Sequence, residues 1–226
     1  MTFFKYIEGG GIIGYVILAL SIVAFAYAVA AFLRTQRSRL IPDEQVSDLR
    51  AQADAGDFQQ ALKDCRSDEG DTFLGRIAAA GLDRSLRGPL GGLEARAAME
   101  DAGEEETARL FRAIDPIAVI ASVAPLLGLL GTVQGMIGAF ETVASAATKS
   151  NAYYETLAYN ISIALITTFQ GLVVAIPCVM AHAWLRRRID RAAADSGRAL
   201  ESLAMSLERV GTSAMHGQHG GGGGGG

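Results

Sequence analysis

Two threonines, Thr132 and Thr168, each sit near the middle of a long run of residues without charge. A hydroxyl donates one hydrogen bond and accepts others, so it can hold water or face an acid without being charged itself. Thr167 adjoins the second threonine, and Gln134 and Gln170 bring amides into the same two runs. Such groups in an apolar setting suit a protein-lined, partly wet path through a membrane. A proton-driven path also needs a titratable group within the membrane. The runs contain no Asp, Glu or Lys, and His182 lies one helical turn before Arg186. If protons move here, the titrating acid comes from a partner chain.

The same two runs carry small residues at helical spacing. Gly128, Gly131, Gly135 and Gly138 recur in one, and Ala164, Thr168, Gly171 and Ala175 in the other. A small-residue face lets another helix backbone approach closely. Packing alone also accounts for these features: the stripes would join two helices of one chain, and each threonine would bond its own helix one turn back. Residue types and spacing leave both readings open. Pro125 and Pro177 each remove a backbone donor and mark helix bends.

Positioning these residues takes membrane helices. The chain has 226 residues, 50% of them hydrophobic and 19% charged, with mean hydropathy +0.25. Gly9 to Leu33, Pro116 to Phe140 and Thr156 to Leu185 contain no Asp, Glu, Lys or Arg. Each is long enough for a bilayer core, which takes roughly 20 helical residues. A soluble enzyme, a secreted disulfide scaffold and a disordered chain are therefore disfavoured. The first run is too long for a signal-peptide core and ends in Phe32-Leu33-Arg34 rather than a small-residue cleavage site, so it reads as an uncleaved helix. It is rich in Ile, Val, Leu and aromatics and suits a lipid-facing position.

Charge sets the expected orientation. Arg34, Arg37 and Arg39 follow the first run, and Arg186, Arg187, Arg188 and Arg191 follow the third. Positive flanks favour the cytoplasm. The expected organisation is a periplasmic N-terminus (1–10), span one (11–33), a helical cytoplasmic region (34–115), span two (116–140), a periplasmic turn (141–156), span three (157–185), a cytoplasmic helix (186–212) and a disordered glycine-rich tail (213–226). The fold class is thus an all-α integral membrane protein with three transmembrane helices, spans two and three extending into the helical cytoplasmic region.

Within that region, Pro42-Asp43-Glu44 starts a helix whose apolar spacing runs to Cys65. Another spans Thr72 to Ser85. Arg87-Gly88-Pro89-Leu90-Gly91-Gly92 is the strongest breaker. A third helix starts near Leu93 and runs on into span two past Pro116. The acids Glu104, Glu105 and Glu106 read as a solvated face. Cys65 and Cys178 have neither C-x-x-C spacing nor neighbouring histidines and read as structural thiols. His216 and His219 make at most a weak metal site. Net charge is −4, with no basic stretch interleaved with aromatics, so nucleic acid is not an expected partner. No Walker-type motif is present.

The stretch Ala124-Pro125-Leu-Leu-Gly-Leu-Leu-Gly131-Thr132-Val-Gln-Gly135-Met-Ile-Gly-Ala-Phe140 resembles the signature helix of the MotA/TolQ/ExbB proton-channel family. Ile161-Ser-Ile-Ala164-Leu-Ile-Thr167-Thr168-Phe-Gln-Gly171-Leu-Val-Val-Ala-Ile-Pro177 resembles its partner helix. The resemblance favours the ExbB/TolQ branch over flagellar stators, whose cytoplasmic insert is larger. It implies a homopentamer in a bacterial inner membrane, with spans two and three lining a pore that holds two single-span ExbD- or TolR-like chains. It also implies that the partner's aspartate carries the proton between threonines at the positions of Thr132 and Thr168. Ile163 stands where ExbB- and TolQ-type members often carry a glutamate. The resulting expectation is a non-enzymatic, cofactor-free and metal-free motor subunit. It would use proton-motive force to energise an envelope-spanning TonB-like protein in outer-membrane transport, or, in a TolQ-like role, a TolA-like protein in outer-membrane integrity. A passive membrane scaffold is the reading from another class.

Overall fold

A computed structural model describes residues 10–87, 91–145 and 151–219; side chains are defined in these except at 91–93, 208 and 210–219. All regular structure in the described residues is helical. The order is α1 (Gly11–Arg34), α2 (Arg37–Leu40), α3 (Asp43–Ala55), α4 (Phe58–Cys65), α5 (Phe73–Leu86), α6 (Gly91–Ser145) and α7 (Asn151–His219). Helices α1, α6 and α7 each contain a segment long and apolar enough to cross a membrane. Residues 1–9 of the expected N-terminal segment, 88–90 of the expected breaker, 146–150 of the expected turn and 220–226 of the expected tail lie outside the described residues. Helix α7 continues through His219, beyond the expected boundary at 212.

The chain forms two compact units, one of Met1–Ala31 with Ala113–Leu185, the other of Phe32–Arg112 with Arg186–Gly226. In the first, many long side chains of the apolar stretches of α6 and α7 point outward while small ones point inward. Leu126, Leu129, Phe140, Leu165 and Phe169 are exposed, while Ala124, Ala139, Ala164 and Ala175 are buried. This inverts the pattern of a water-soluble bundle and is what hydrocarbon selects, because lipid tails offer no drive to bury leucine. Helix α1 also has a narrow buried line, Gly14, Ile17, Ala24 and Ala31, at spacings of three and seven residues. The composition of α1 suits a lipid-facing helix, and most of it is exposed; its small residues recur around the whole helix, so this one buried line does not stand out in the sequence.

The second unit has a conventional core. Leu49, Phe58, Phe73, Leu74, Ile77 and Leu82 pack with Leu200, Leu203 and Leu207 of α7. The stretch expected as one helix to Cys65 is two. Gly56 ends α3 in the left-handed conformation at φ 74°, which costs glycine nothing for want of a Cβ. Asp57 then caps α4, its carboxylate accepting from the Gln60 N–H at 3.2 Å. Thr72 caps α5 in the same way at Gly75, 2.9 Å. The arginines after the first and third spans find aromatic faces: Arg188 stacks over Phe32 at 5.3 Å and Arg186 over Phe111 at 5.6 Å.

Glu106 does not lie on a solvated face. Its side chain is 9% exposed and pairs with Arg76 at 2.8 Å and Arg109 at 3.0 Å, whereas Glu104 and Glu105 are exposed. Arg76 also holds Asp71 at 2.9 Å. Burial opposes the charge on Arg76, but the hydrogen bonds it donates to Asp71 and Glu106 outweigh it and hold the guanidinium above its ordinary value. Arg76→Leu should therefore leave Glu106 under-neutralised and lower stability by about 1–3 kcal/mol. The double variant Arg76→Leu/Glu106→Leu should be less destabilised than the two single losses added. Thermal unfolding of the four proteins in detergent checks this; additive losses would mean that the ion pair contributes nothing beyond its parts.

Cys65 is buried, and burial, reinforced by the charge of Asp64, pushes its thiol up to about 11. At neutral pH less than roughly one such thiol in a thousand is ionised, and the thiolate is the reactive form. Maleimide should label Cys65 only after denaturation; rapid labelling of the native protein would contradict its position in the core.

Candidate functional site

The site lies in the first unit, where α6 and α7 run antiparallel along their small-residue stripes. Ascending positions on α6 meet descending positions on α7. A Cβ built on Gly171 would fall 2.5 Å from the Ala124 carbonyl oxygen, and one on Gly128 would fall 3.0 Å from the Thr167 carbonyl oxygen. One on Gly131 would strike the Thr167 side chain at 2.3 Å, and one on Gly135 the Asn160 carbonyl at 2.7 Å. These contacts are with backbone or rigid, β-branched atoms, so glycine is what sets the spacing of the helices. Gly138 faces the Asn160 amide at 3.3 Å. Ala164 and Ala175 are buried in the same unit.

That spacing brings Thr132 and Thr168 together. Their hydroxyl oxygens are in direct hydrogen-bond contact. Thr132 also lies within reach of the Gly128 and Ala164 carbonyls, at 3.3 and 3.2 Å. Thr168 reaches the same two, at 3.0 and 3.3 Å. Each hydroxyl carries a single proton. If one threonine donates to the other, the second must give its proton to a carbonyl or to a group outside the chain. The two hydroxyls thus form a small exchangeable network with lone pairs to spare. Both residues are half-buried.

Thr167 has a different environment. It is fully buried, and its hydroxyl donates within its own helix to Ile163 or Ala164, each at 3.0 Å. Gln170 is half-buried and sits against α1, where a Cβ on Gly10 or Gly14 would come within 2.5 or 2.7 Å of its side-chain oxygen. Gln134 is exposed on α6, away from the Thr132–Thr168 contact. Of the five polar residues singled out from the sequence, two meet each other and three lie elsewhere. Pro125 and Pro177 both occur inside continuous helices. Among the described residues no three His, Cys, Asp or Glu side chains converge as metal ligands.

One polar pair was not singled out from the sequence. Asn160 donates from Nδ2 to the Thr142 hydroxyl at 3.3 Å, and that hydroxyl donates to the Gly138 carbonyl at 2.8 Å. The available signal was an asparagine inside an uncharged run of membrane length.

Comparison with known proteins bears on this geometry. Residues 69–196 match the MotA/TolQ/ExbB proton channel family, a stretch that contains both threonines and both small-residue faces. The chain is 36% identical over 112 residues to the Tol-Pal system protein TolQ of Haemophilus influenzae, covering 50% of this chain and 48% of that protein. It is 28% identical over 194 residues to a putative biopolymer transport protein ExbB homolog of Methanothermobacter thermautotrophicus, covering 84% and 64%. It is 34% identical over 167 residues to putative biopolymer transport protein ExbB-like 1 of Synechocystis, covering 74% and 64%. The chain spans about half to two-thirds of the length of these curated relatives. A family match over more than half the chain, two apolar helices faced with small residues and a threonine pair held between them lead to one assignment: this chain belongs to the MotA/TolQ/ExbB proton channel family.

Proposed function

We propose that this chain is the channel subunit of an oligomeric inner-membrane motor that converts proton-motive force into work on an envelope-spanning partner. The observation that carries the proposal is the meeting of the Thr132 and Thr168 hydroxyls on two helices without acids in their spans. Uncharged hydroxyls cannot store a proton at neutral pH, but they can solvate an acid that does. When a carboxylate borne by a partner helix approaches, one threonine donates to it. When that acid is protonated, a threonine oxygen accepts from it, and the pair's own protons turn to the Gly128 and Ala164 carbonyls. The chain supplies the sleeve, and the acid changes protonation as it passes between the two aqueous sides.

The same reading makes the assembly a homopentamer around two ExbD- or TolR-like single-span chains. The N-terminus is periplasmic and the arginines after α1 and after the third span lie in the cytoplasm. Energising a TonB-like protein in outer-membrane transport is the leading use, supported by the ExbB-type relatives. A TolQ-like role is the second, supported by the likeness to the Haemophilus protein.

The test is reconstitution. The purified oligomer, with and without a single-span partner bearing a membrane aspartate, is placed in vesicles under an imposed pH gradient. Proton flux should require both the partner and its aspartate. Equal flux without the partner, or none with it in an assembled complex, would exclude the borrowed-acid mechanism; an inert complex would leave a membrane scaffold.

A further inference from the structure

We propose that Asn160 and Thr142 form a second polar station on the same path, holding water between the outer aqueous side and the Thr132–Thr168 pair; this rests on the channel reading above. Asn160 stands eight residues before Thr168 on α7, about 12 Å along the helix axis. Thr142 stands ten residues after Thr132 on α6, about 15 Å along. Because the helices are antiparallel, both displacements run toward the same end, the one joined by residues 146–150. The nearest acids along the two helices are Glu141, adjacent to Thr142, and Glu155, five residues from Asn160. Glu155 lies beyond Asn160 toward that end and Glu141 is level with Thr142, so Asn160 stands between the charged rim and the threonines.

Hydrogen-bond accounting separates this pair from simple helix glue. The Thr142 proton is committed to the Gly138 carbonyl, so its oxygen is an acceptor and takes one N–H of Asn160. An amide has a second N–H and a carbonyl. Among the described residues neither has a further hydrogen bond, and the side chain is half-exposed. Gly138 lies 3.3 Å from this amide where a Cβ would stand, which leaves the amide room. Hydrocarbon against these remaining groups would leave them unsatisfied, so the surface they face is wet or polar. Asn160 does not change protonation. It fixes a water that accepts a proton from one side and passes one on to the next, so protons balance at every step.

Proton flux in vesicles holding the whole oligomer with its partner chain tests the idea, with Thr132→Val/Thr168→Val measured in parallel. Asn160→Leu should assemble normally and lose about tenfold in flux, the effect of one lost hydrogen bond to the water. Asn160→Asp should restore most of the flux and make it depend on the pH of the outer side, with a titration that the native protein lacks; Glu141 and Glu155 are present in both and cancel. Flux within twofold of native in assembled Asn160→Leu, or an unchanged pH profile in Asn160→Asp, overturns the proposal. Failure of both variants to assemble also overturns it and assigns Asn160 to packing. If the native complex is itself inert, the channel reading fails first; if the threonine variant alone loses flux, only this inference fails.

Discussion

Replacing Thr132 and Thr168 together by valine is expected to lower partner-dependent proton flux by about a hundredfold or more while the oligomer still forms. Valine is nearly the shape of threonine, so the helix spacing survives. The Gly128 and Ala164 carbonyls keep their own helical N–H donors, so no backbone group is orphaned by the change. What disappears is the pair of groups able to solvate an acid in both of its protonation states. A hydrogen bond to a charged group contributes about 1.5–3 kcal/mol, and each 1.4 kcal/mol is about tenfold. Each single valine should therefore cost about tenfold or more. Thr132→Ser and Thr168→Ser should retain most of the flux, because the hydroxyl is kept. Vesicle flux measured beside native gel mobility checks all five variants. A double valine that conducts like the native complex would reduce the threonines to helix packing.

Much of this arrangement is legible in the residues, because a membrane simplifies the code. Charge-free runs of bilayer length mark the three apolar helices, and small residues at spacings of three and four mark the faces on which α6 and α7 meet. The helix α6, running from the charged region through Pro116 and Pro125, is likewise foreshadowed by the lack of any breaker after Gly92.

The rest depends on what lies opposite, which a single helix face cannot reveal. Thr167 and Thr168 are adjacent and chemically identical, yet one turns inward to its own helix and the other meets Thr132. A rotation of one residue, about 100° around the helix, decides which. Gln170 has the same spacing credentials as Thr167 but is claimed by Gly10 and Gly14 at the start of α1, whose one buried line is not distinguished by residue size from its exposed faces. Glu106 looks solvated beside Glu104 and Glu105 until Arg76, thirty residues earlier in the chain, is placed against it. The break at Gly56-Asp57 hides for a different reason: the apolar spacing carries across it, while a glycine followed by a capping aspartate is the stronger local signal.

Glycine substitutions in α7 should split by what each glycine touches. At Gly171 a new Cβ would stand 2.5 Å from the Ala124 carbonyl oxygen and 3.2 Å from the Gly128 Cα, both backbone atoms. Neither can turn aside as a flexible side chain would, so the helices must part. Overpacking of this kind costs about 1–3 kcal/mol, and Gly171→Val, with two further methyl groups, should exceed Gly171→Ala. Parting α6 from α7 also separates Thr132 from Thr168, so flux and stability should fall together, unlike in the threonine variants. Gly197 lies in the same helix with nothing within 4 Å of its would-be Cβ. There the intrinsic preference for alanine over glycine acts unopposed, so Gly197→Ala should stabilise by up to about 1 kcal/mol and leave flux untouched. Thermal unfolding and flux on the three variants decide the matter. A Gly171→Val protein as stable and conductive as the native one would mean that close approach along this stripe is not what holds the threonine pair in place.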